Sequence, residues 1–255
     1  MAGLLRNLMP LSSRIPYVLW RVIPARESLT ISLYTGETIT LRRPPNFDLE
    51  VAFEVFVSKL YLSPRPLSSI KFVVDVGTNV GYSLVFLARE FPEAKIMAFE
   101  PHSANARQAM ININANHLQD RVDLHVAAAG IRRGTAYITD RSARSHVVSE
   151  NHTRGLLPIE IVDFFDTVGN AQIDLLKIDC EGGEYDLVMD SRFENLKARV
   201  LVMEWHLTPQ HPQADTELIL RLNNCGWDLV PVTEYRGNDP ENGFCGNGVV
   251  WGFRR

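Results

Sequence analysis

The stretch that decides the fold is Asp75-Val76-Gly77-Thr78-Asn79-Val80-Gly81, directly after the apolar run Phe72-Val73-Val74. Beyond it, apolar residues recur at the spacing of one helical face, at Leu84, Leu87, Ala88 and Phe91. The order strand, glycine turn, helix is typical of the opening unit of a parallel sheet with helices packed on it. Because glycines let a backbone pass close to a ligand, the turn also predicts a binding site.

The alternation of strands and helices continues through the rest of the chain. Amphipathic spacing predicts helices at 104–116 and 218–222. Short apolar runs predict strands at 96–99, 122–126, 173–178 and 200–203, with a late hairpin formed by 229–232 and 249–253. We therefore expect an α/β fold with a mostly parallel sheet and helices on both of its faces.

Residues 1–69 follow a different pattern. From Leu29 to Leu41, apolar and polar residues alternate around Gly36, which predicts a hairpin. Within the segment from Asp48 to Tyr61, apolar residues lie at the spacing of one helical face. This front portion is too small for an independent core. We therefore divide the chain into an N-terminal extension (1–69), with a basic leader, hairpin and helix, and a ligand-binding domain (70–255).

The composition is that of an ordinary globular protein. Of 255 residues, 45% are hydrophobic, and 26 basic against 30 acidic residues give a net charge of -4. A near-neutral chain has no long-range field to gather nucleic acid, so we expect no nucleic-acid partner. Three cysteines without a CxxC pair indicate reduced thiols, and we expect a cytoplasmic location.

The basic leader, residues 1–26, contains four arginines and no acidic residue. Pro10, Arg14, Pro16 and Arg21 interrupt its apolar stretches, so no run of roughly 20 apolar residues can span a membrane. Three roles stay open. The leader can pack on the body of the protein, which we favour, make a peripheral contact with a membrane or a partner, or act as a transit peptide.

Glu100 ends the second strand, 19 residues after Gly81. In doubly wound folds an acid about 20 residues beyond the glycine loop accepts hydrogen bonds from ribose hydroxyls. The alternative is that Glu100 caps the next helix together with Pro101 and Ser103. Asn79 and Tyr82 stand where a dinucleotide fingerprint would have glycine, so the loop argues against NAD.

Four segments in order, DVGTNVGYS, AFEPH, LLKIDCEGGEYDLV and VMEWH, resemble the FkbM family of S-adenosylmethionine-dependent methyltransferases. The resemblance implies a class I methyltransferase (Rossmann-like) fold, with a mostly parallel seven-stranded sheet and an antiparallel final hairpin, and makes residues 70–255 the cofactor-binding domain. It also implies that S-adenosylmethionine is the cofactor. The methionine side would then be shaped by the glycine loop, the ribose would lie on the acid, and the adenine would lie near the third strand; the residues are Asp75, Gly77, Asn79, Gly81, Glu100, Pro101, Ala128 and Asp179.

The reaction that this resemblance implies is O-methylation of a hydroxyl on a sugar, glycolipid or natural product. The acceptor would be a small molecule or a carbohydrate. Two other functions stay open. One is a nucleotide-dependent oxidoreductase on the same kind of sheet, and the other is a non-catalytic protein that binds the cofactor or a partner.

Asp179, Glu181 and His206 are the candidate catalytic residues, because they follow the ends of two neighbouring strands. An alcohol is a poor nucleophile until its proton is removed, and His206 is our preferred base. Asp179 and Glu181 lie two residues apart and would point the same way in an extended segment, which suits one divalent cation such as Mg²⁺. Crowding would also raise the pKa of one carboxyl group. The alternative is that Glu181 and Glu184 cap and solvate the helix that begins near Gly182, and for Glu184 we favour that role.

Two polar segments are candidates for binding the acceptor. Residues 139–158 are expected to form a long irregular loop, rich in hydroxyl and guanidinium groups that suit a polyhydroxylated or anionic acceptor. Residues 235–247 are rich in glycine and asparagine and precede the last strand. Trp205 and Trp227 can stack on a sugar ring, although a core position is the commoner case for tryptophan.

Overall fold

The computed structural model describes residues 2–23, 26–139, 147–148, 156–239 and 244–254. The helices are α1 (Ala2–Leu8), α2 (Leu11–Val22), α3 (Asp48–Phe56), α4 (Tyr82–Glu90), α5 (Ser103–Ala115), α6 (Phe164–Val168), α7 (Glu184–Met189) and α8 (Ala214–Asn224). The strands are β1 (Ser28–Ser32), β2 (Thr38–Arg42), β3 (Phe72–Val76), β4 (Lys95–Phe99), β5 (Val122–His125), β6 (Ala128–Gly130), β7 (Gly134–Thr139), β8 (Val147–Val148), β9 (Leu156–Asp163), β10 (Ile173–Ile178), β11 (Ala198–Leu207), β12 (Trp227–Asp239) and β13 (Phe244–Arg254).

The main sheet has seven strands in the order β12-β13-β11-β10-β3-β4-β5. The five strands from β11 to β5 pair in parallel, whereas β13 runs antiparallel to both β11 and β12. The expected parallel sheet with a reversed final hairpin is therefore confirmed. The chain passes from β3 outward to β4 and β5, then returns to β10 on the other side of β3. This reversal of strand order creates a crevice at the carboxyl ends of β3 and β10.

Both faces of the sheet are covered. Successive residues of a strand point to opposite faces, so Val73 and Leu175 join one hydrophobic cluster while Val74 and Leu176 join the other. The first cluster includes residues of α3, α4 and α5, and the second includes residues of α6, α7 and α8. Helices on both faces explain why the strands read as continuous apolar runs in the sequence.

The N-terminal extension packs on the first face. Leu5 and Leu8 are buried in the same cluster as Ile39 of the β1–β2 hairpin and Phe86 of α4. The extension and the sheet therefore share one continuous apolar core, and the boundary at residue 70 stays a prediction. No helix among the described residues is long and apolar enough to cross a membrane.

Polar side chains of α5 also fix the hairpin to the domain. Asn112, which is fully buried, accepts the N–H of Thr40 at 2.8 Å and donates to the carbonyl of Val80 at 2.7 Å. Gln108 and Tyr82 both donate to the carbonyl of Thr40, at 3.0 and 2.9 Å. Since Val80 belongs to the glycine loop, these bonds connect the extension directly to that loop.

The irregular loop expected at residues 139–158 is partly a strand. Its last three residues begin β9, which pairs antiparallel with β7, with Tyr137 opposite Pro158. A second, four-stranded sheet, β6-β9-β7-β8, results. Ala136, Ile138 and Ile159 bury the small core of this sheet, and that alternation is the signal that was missed. Residues 140–146 and 149–155 lie outside the described part of the chain.

We predict that Asn112→Ala destabilises the fold. The N–H of Thr40 and the carbonyl of Val80 would lose their partners inside the protein, which costs about 2–4 kcal/mol in free energy of unfolding. The melting temperature should fall by roughly 5–10 °C. The control is Asn114→Ala in the same helix, an exposed residue whose change should stay within about 0.5 kcal/mol. Equal losses in the two variants would contradict the link.

Candidate active site

A cavity of about 340 Å³ opens at the carboxyl ends of β3, β10 and β11. It lies at the reversal of strand order, where ligands of open α/β sheets bind. Helix α3 and the β12–β13 hairpin contribute to its walls. The polar and charged residues that line it include Glu50, Glu54, Tyr61, Thr78, Asn79, Lys177, Asp179, Glu181, Glu204, His206 and Asn247.

The glycine loop passes directly beneath the end of β10. The N–H groups of Gly77 and Thr78 both donate to the carbonyl of Phe99 at 3.0 Å, which ties the loop to β4. Gly77 has a φ of 81°, and a Cβ atom there would stand 1.7 Å from the carbonyl oxygen of Asp179. A side chain at position 77 is therefore excluded both by conformation and by space. A Cβ atom added at Gly81 would lie only 3.0 Å from Ala109. Glycine at position 81 therefore allows the loop to pack closely against that residue.

Asp75 and Lys177 form a buried ion pair below the loop. They face each other in the parallel register of β3 and β10, and Nζ lies 2.9 Å from Oδ1. Ser83 donates to the other oxygen of Asp75 at 2.6 Å, and Lys177 donates to the carbonyl of Gly77 at 2.9 Å. Burial favours a neutral amine, but Asp75 and Asp179 outweigh it and raise the pKa of Lys177 above its usual value. Asp75 therefore supports the glycine loop indirectly, through its contacts with Lys177 and Ser83.

Tyr61 is a site residue that the sequence analysis missed. It lies just after α3, and its hydroxyl donates to Oδ2 of Asp179 at 2.7 Å. The ammonium of Lys177 stands 5.1 Å from its ring and 3.6 Å from Oδ2 of Asp179. Burial and the charge of Asp179 raise the pKa of Tyr61 well above its usual value, so the phenol keeps its proton. Helix α3 ends at Phe56, earlier than the helical spacing from Asp48 to Tyr61 suggested, and nothing in that segment indicated a contact with Asp179.

Lys177 could have been found from the sequence. It stands inside the apolar run Leu175-Leu176-Lys177-Ile178, where a lysine must be buried. A buried ammonium requires an acidic partner, and the acids at the ends of predicted strands, Asp75 and Asp179, were the candidates.

Glu100 lies behind the glycine loop and is 5% exposed. Its two oxygens accept the N–H of Asn79 at 2.9 Å and the N–H of His102 at 2.8 Å. Burial raises the pKa of Glu100 to about 7, although both hydrogen bonds oppose this shift. Glu100, Gly81 and Asp75 are not among the described residues that line the cavity. Pro101 follows Glu100 directly, and Ala128 begins β6 at the edge of the second sheet; neither is among the described residues that line the cavity.

His206 lies near the end of β11 and is 5% exposed. Oε1 of Glu184 lies 3.1 Å from Nδ1 and accepts the backbone N–H of His206 at 2.9 Å. Nε2 lies 3.7 Å from the carboxylates of both Glu181 and Glu204. Burial favours the neutral ring, but Glu184 and Glu181 outweigh it and raise the pKa of His206 well above its usual value. Glu184 thus holds Nδ1 of the ring, and Nε2 faces the acidic residues of the cavity.

Glu184 begins α7 and is fully buried. Its second oxygen accepts the N–H of Gly182 at 2.9 Å, in agreement with the local role that we favoured. The same carboxylate orients His206, which the sequence did not indicate.

Asp179 and Glu181 approach each other for a different reason from the one expected. The strand does not continue past Ile178, and Glu181 adopts a left-handed φ of 55° in the turn that follows. The turn nevertheless brings Asp179, Glu181 and His206 together, with one potential ligand atom of each within 4.8 Å of the others. Such a conformation is costly for glutamate, and strained residues of this kind concentrate at functional sites.

The raised carboxyl pKa expected in this cluster is found on Glu204. Burial and the neighbouring charge of Asp179 raise the pKa of Glu204 to about 8. Asn247 of β13 donates to Oε1 of Glu204 at 2.6 Å.

The expected acceptor segments differ in what they contribute. From residues 235–247, Tyr235 and Asn247 line the cavity, while 240–243 lie outside the described residues. Trp205 and Trp227 are buried in the hydrophobic core of the second face, so the core position holds for both.

The sheet order, the single reversed hairpin and the glycine loop beside acidic strand ends define a class I methyltransferase fold. The solved structure of M. jannaschii TYW2 in complex with AdoMet has this fold, with a TM-score of 0.53 at 12% identity over 92% of this chain and 89% of that chain. The profile of the Methyltransferase FkbM domain matches residues 75–229, more than half of the chain. The chain therefore belongs to the FkbM family of S-adenosylmethionine-dependent methyltransferases.

Two fungal proteins are similar in sequence. Methyltransferase 1 of Beauveria bassiana (strain ARSEF 2860) is 29% identical over 173 residues, covering 56% of this chain and 68% of that protein. Methyltransferase sdnD of Sordaria araneosa is 25% identical over 214 residues, covering 69% of this chain and 81% of that protein.

The chemistry of the site fits S-adenosylmethionine. This cofactor carries a positive sulfonium and an ammonium group, and the cavity is lined by the carboxylates of Asp179 and Glu181. Oδ1 of Asn79 is buried and has no hydrogen-bond partner among the described residues, so it can accept a bond from a ligand. Glu100 accepts bonds from Asn79, His102 and the side chain of Asn105, so its ionised form retains about one lone pair for a ribose hydroxyl.

We predict that Gly77→Ala disrupts the site. The new Cβ would overlap the carbonyl oxygen of Asp179, and alanine strongly disfavours a φ of 81°. The loss should exceed about 4 kcal/mol in free energy of unfolding, measured by denaturant titration.

Gly134→Ala is the matched control for this change. A Cβ at Gly134 meets no atom within 4 Å, so this variant should stay within about 0.5 kcal/mol of the wild type. A stable Gly77→Ala protein with unaltered affinity for S-adenosylhomocysteine would contradict the close approach.

Proposed function

We propose that this protein transfers the methyl group of S-adenosylmethionine to a hydroxyl oxygen of a sugar, glycolipid or natural-product acceptor. When bound, the cofactor supplies an electrophilic methyl group on a positively charged sulfur. The observation that carries the proposal is the imidazole of His206, held at Nδ1 by Glu184 and directed by Nε2 toward the cavity acids. An alcohol requires such a base, because its own pKa is far above neutrality.

The residues around the cavity have separable tasks in this reaction. Glu184 orients the ring, and Nε2 of neutral His206 takes the proton of the acceptor hydroxyl. Tyr61 and Lys177 hold the carboxylate of Asp179 in one position, where it can accept a hydrogen bond from a second hydroxyl of the acceptor. Fixing the acceptor oxygen in line with the methyl group accounts for much of the rate in such a displacement.

The charge of the cavity favours an uncharged, polyhydroxylated acceptor. Ionised carboxylates only accept hydrogen bonds, so they pair well with hydroxyl donors and repel phosphate or carboxylate groups. Glu50 and Glu54 of α3 add two acids to the lining of the cavity. This favours a neutral sugar or alcohol over the anionic acceptor that the loop at 139–158 suggested. We also propose a cytoplasmic location, consistent with the reduced cysteines expected from the sequence.

Binding of S-adenosylhomocysteine tests the cofactor site. Calorimetry should detect binding by the wild type, and Glu100→Ala should weaken it by about 30–100-fold, the loss expected for one hydrogen bond to a charged group. Glu93→Ala, an exposed change before β4, should bind like the wild type. Wild-type protein that does not bind, or equal affinity in both variants, would overturn the assignment.

The pH dependence of turnover tests the base. Because His206 must be neutral to accept a proton and its pKa is raised, kcat should increase as the pH rises above neutrality. His206→Gln should lower kcat by about 10²–10⁴-fold and remove this increase. Glu181→Gln removes a charge that raises the pKa of His206, so the increase should move to lower pH. An unshifted profile in Glu181→Gln would exclude His206 as the titrating base.

The Mg²⁺ ion predicted at Asp179 and Glu181 would give His206 a different role. Nε2 can take a proton or coordinate a cation, but it cannot do both at once. Preincubation with EDTA separates the two mechanisms. Unchanged turnover supports His206 as the base, whereas loss of turnover that added Mg²⁺ restores supports metal-assisted deprotonation.

A further inference from the structure

Helix α2 is apolar on two opposite faces. One face packs on the body of the protein through Tyr17 and Trp20, which are buried. Ser13 on the same face donates to the carbonyl of Ser32 at 3.0 Å, and the indole N–H of Trp20 donates to the carbonyl of Arg26 at 2.9 Å. These contacts account for the position of the helix, and they leave its other face directed outward.

The outward face is a continuous apolar stripe. Leu11, Ile15, Val18 and Val22 lie at i, i+4, i+7 and i+11, so they form one row along a helix of about 18 Å. Their side chains are 63%, 56%, 53% and 71% exposed, and Leu19 widens the row with 52% exposure. Single exposed apolar residues are common on soluble proteins, but a contiguous row marks a surface that contacts something else.

The charge around this stripe is positive. Arg14 and Arg21 project along one side of it, by helical spacing, and residues 1–26 contain no acid. The guanidinium of Arg14 donates to the hydroxyl of Tyr34 at 2.6 Å, and Tyr34 is 56% exposed. An apolar row bordered by arginine and an exposed tyrosine is the pattern of helices that lie in the headgroup region of a bilayer.

We propose that α2 docks the protein on an anionic lipid surface, with the apolar stripe in the acyl boundary and the arginines on the headgroups. A second copy of the chain is a poorer occupant. In a two-fold dimer each stripe would face its own copy, and neither copy of α2 has an acid to pair with the arginines of the other. An anionic membrane satisfies the apolar side chains and the charges at once.

Helix α2 borders a groove that adjoins the active-site cavity. The groove, of about 430 Å³, is lined by Tyr17, Trp20 and Arg21 of α2 and continues to Phe47 and Glu50, which also line the cavity. Phe47 is 39% exposed at this junction. The acceptor can therefore be an amphiphile whose hydroxylated head enters the cavity from the bilayer. This consequence depends on the proposed O-methylation, whereas docking itself does not.

Vesicle co-sedimentation of the full chain tests the docking. We expect binding to vesicles of 70% phosphatidylcholine and 30% phosphatidylserine, and little binding to pure phosphatidylcholine. The double variant Ile15→Asn and Val22→Asn should bind at least about tenfold more weakly, since two buried aliphatic side chains contribute well over one decade of partitioning. Arg21→Gln should weaken binding to the anionic vesicles alone.

Leu220→Asn is the matched control, because Leu220 is 60% exposed on α8. It should bind vesicles like the wild type, and all variants should keep the wild-type melting temperature. The proposal would be overturned if the wild-type protein does not bind anionic vesicles. It would also be overturned if Leu220→Asn loses as much vesicle binding as the double variant. A wild-type dimer in light scattering that the double variant converts to a monomer would assign the stripe to self-association instead. Vesicle binding by a protein that fails to bind S-adenosylhomocysteine would refute the proposed function and leave the docking intact.

Discussion

The buried ammonium of Lys177 is the constraint on which the site depends. It stands between β3 and β10, where it contacts the carboxylate of Asp75, the carbonyl of Gly77 and, at longer range, Asp179. A lone ammonium in a protein interior costs several kcal/mol, and loss of either partner leaves a charge uncompensated. One cation therefore holds the glycine loop and the acidic end of β10 in a fixed relation. The parallel register that sets Lys177 opposite Asp75 decides which groups meet in the crevice.

The N-terminal extension is part of the site as well as a cover for the sheet. Asn112 bonds to the hairpin and to the glycine loop, so the position of the loop depends on how the extension packs. Tyr61 then reaches Asp179 from the same extension, and α3 supplies one wall of the cavity. A minimal domain beginning at the first parallel strand would lack these contacts. The boundary predicted at residue 70 separates two segments of the sequence, but residues from both segments form the site.

The electrostatics of the cavity connect binding with chemistry. Several carboxylates around one imidazole favour a positively charged cofactor and hydroxyl donors, and the same carboxylates raise the pKa of His206. The environment that attracts the substrates therefore also strengthens the base. The surface around α2 is positively charged, because the arginines of the leader border the apolar stripe of this helix. The net charge of -4 therefore conceals two regions of opposite sign, and each favours a different class of ligand.

The sequence by itself determined the strands of the main sheet and the glycine turn after β3, because hydrophobic periodicity and loop glycines are properties of neighbouring residues. Four short motifs carried the resemblance to the family. The sequence also placed Asp179, Glu181 and His206 at strand ends, since parallel strands end at a common edge. Only the tertiary structure showed the contact of Tyr61 with Asp179 across 118 residues, the raised pKa of Glu204 and the second sheet built on β9. The same holds for α2, whose sequence is apolar around much of its circumference. Which of its faces is buried was decided by packing, because contacts and burial depend on where distant segments meet in space.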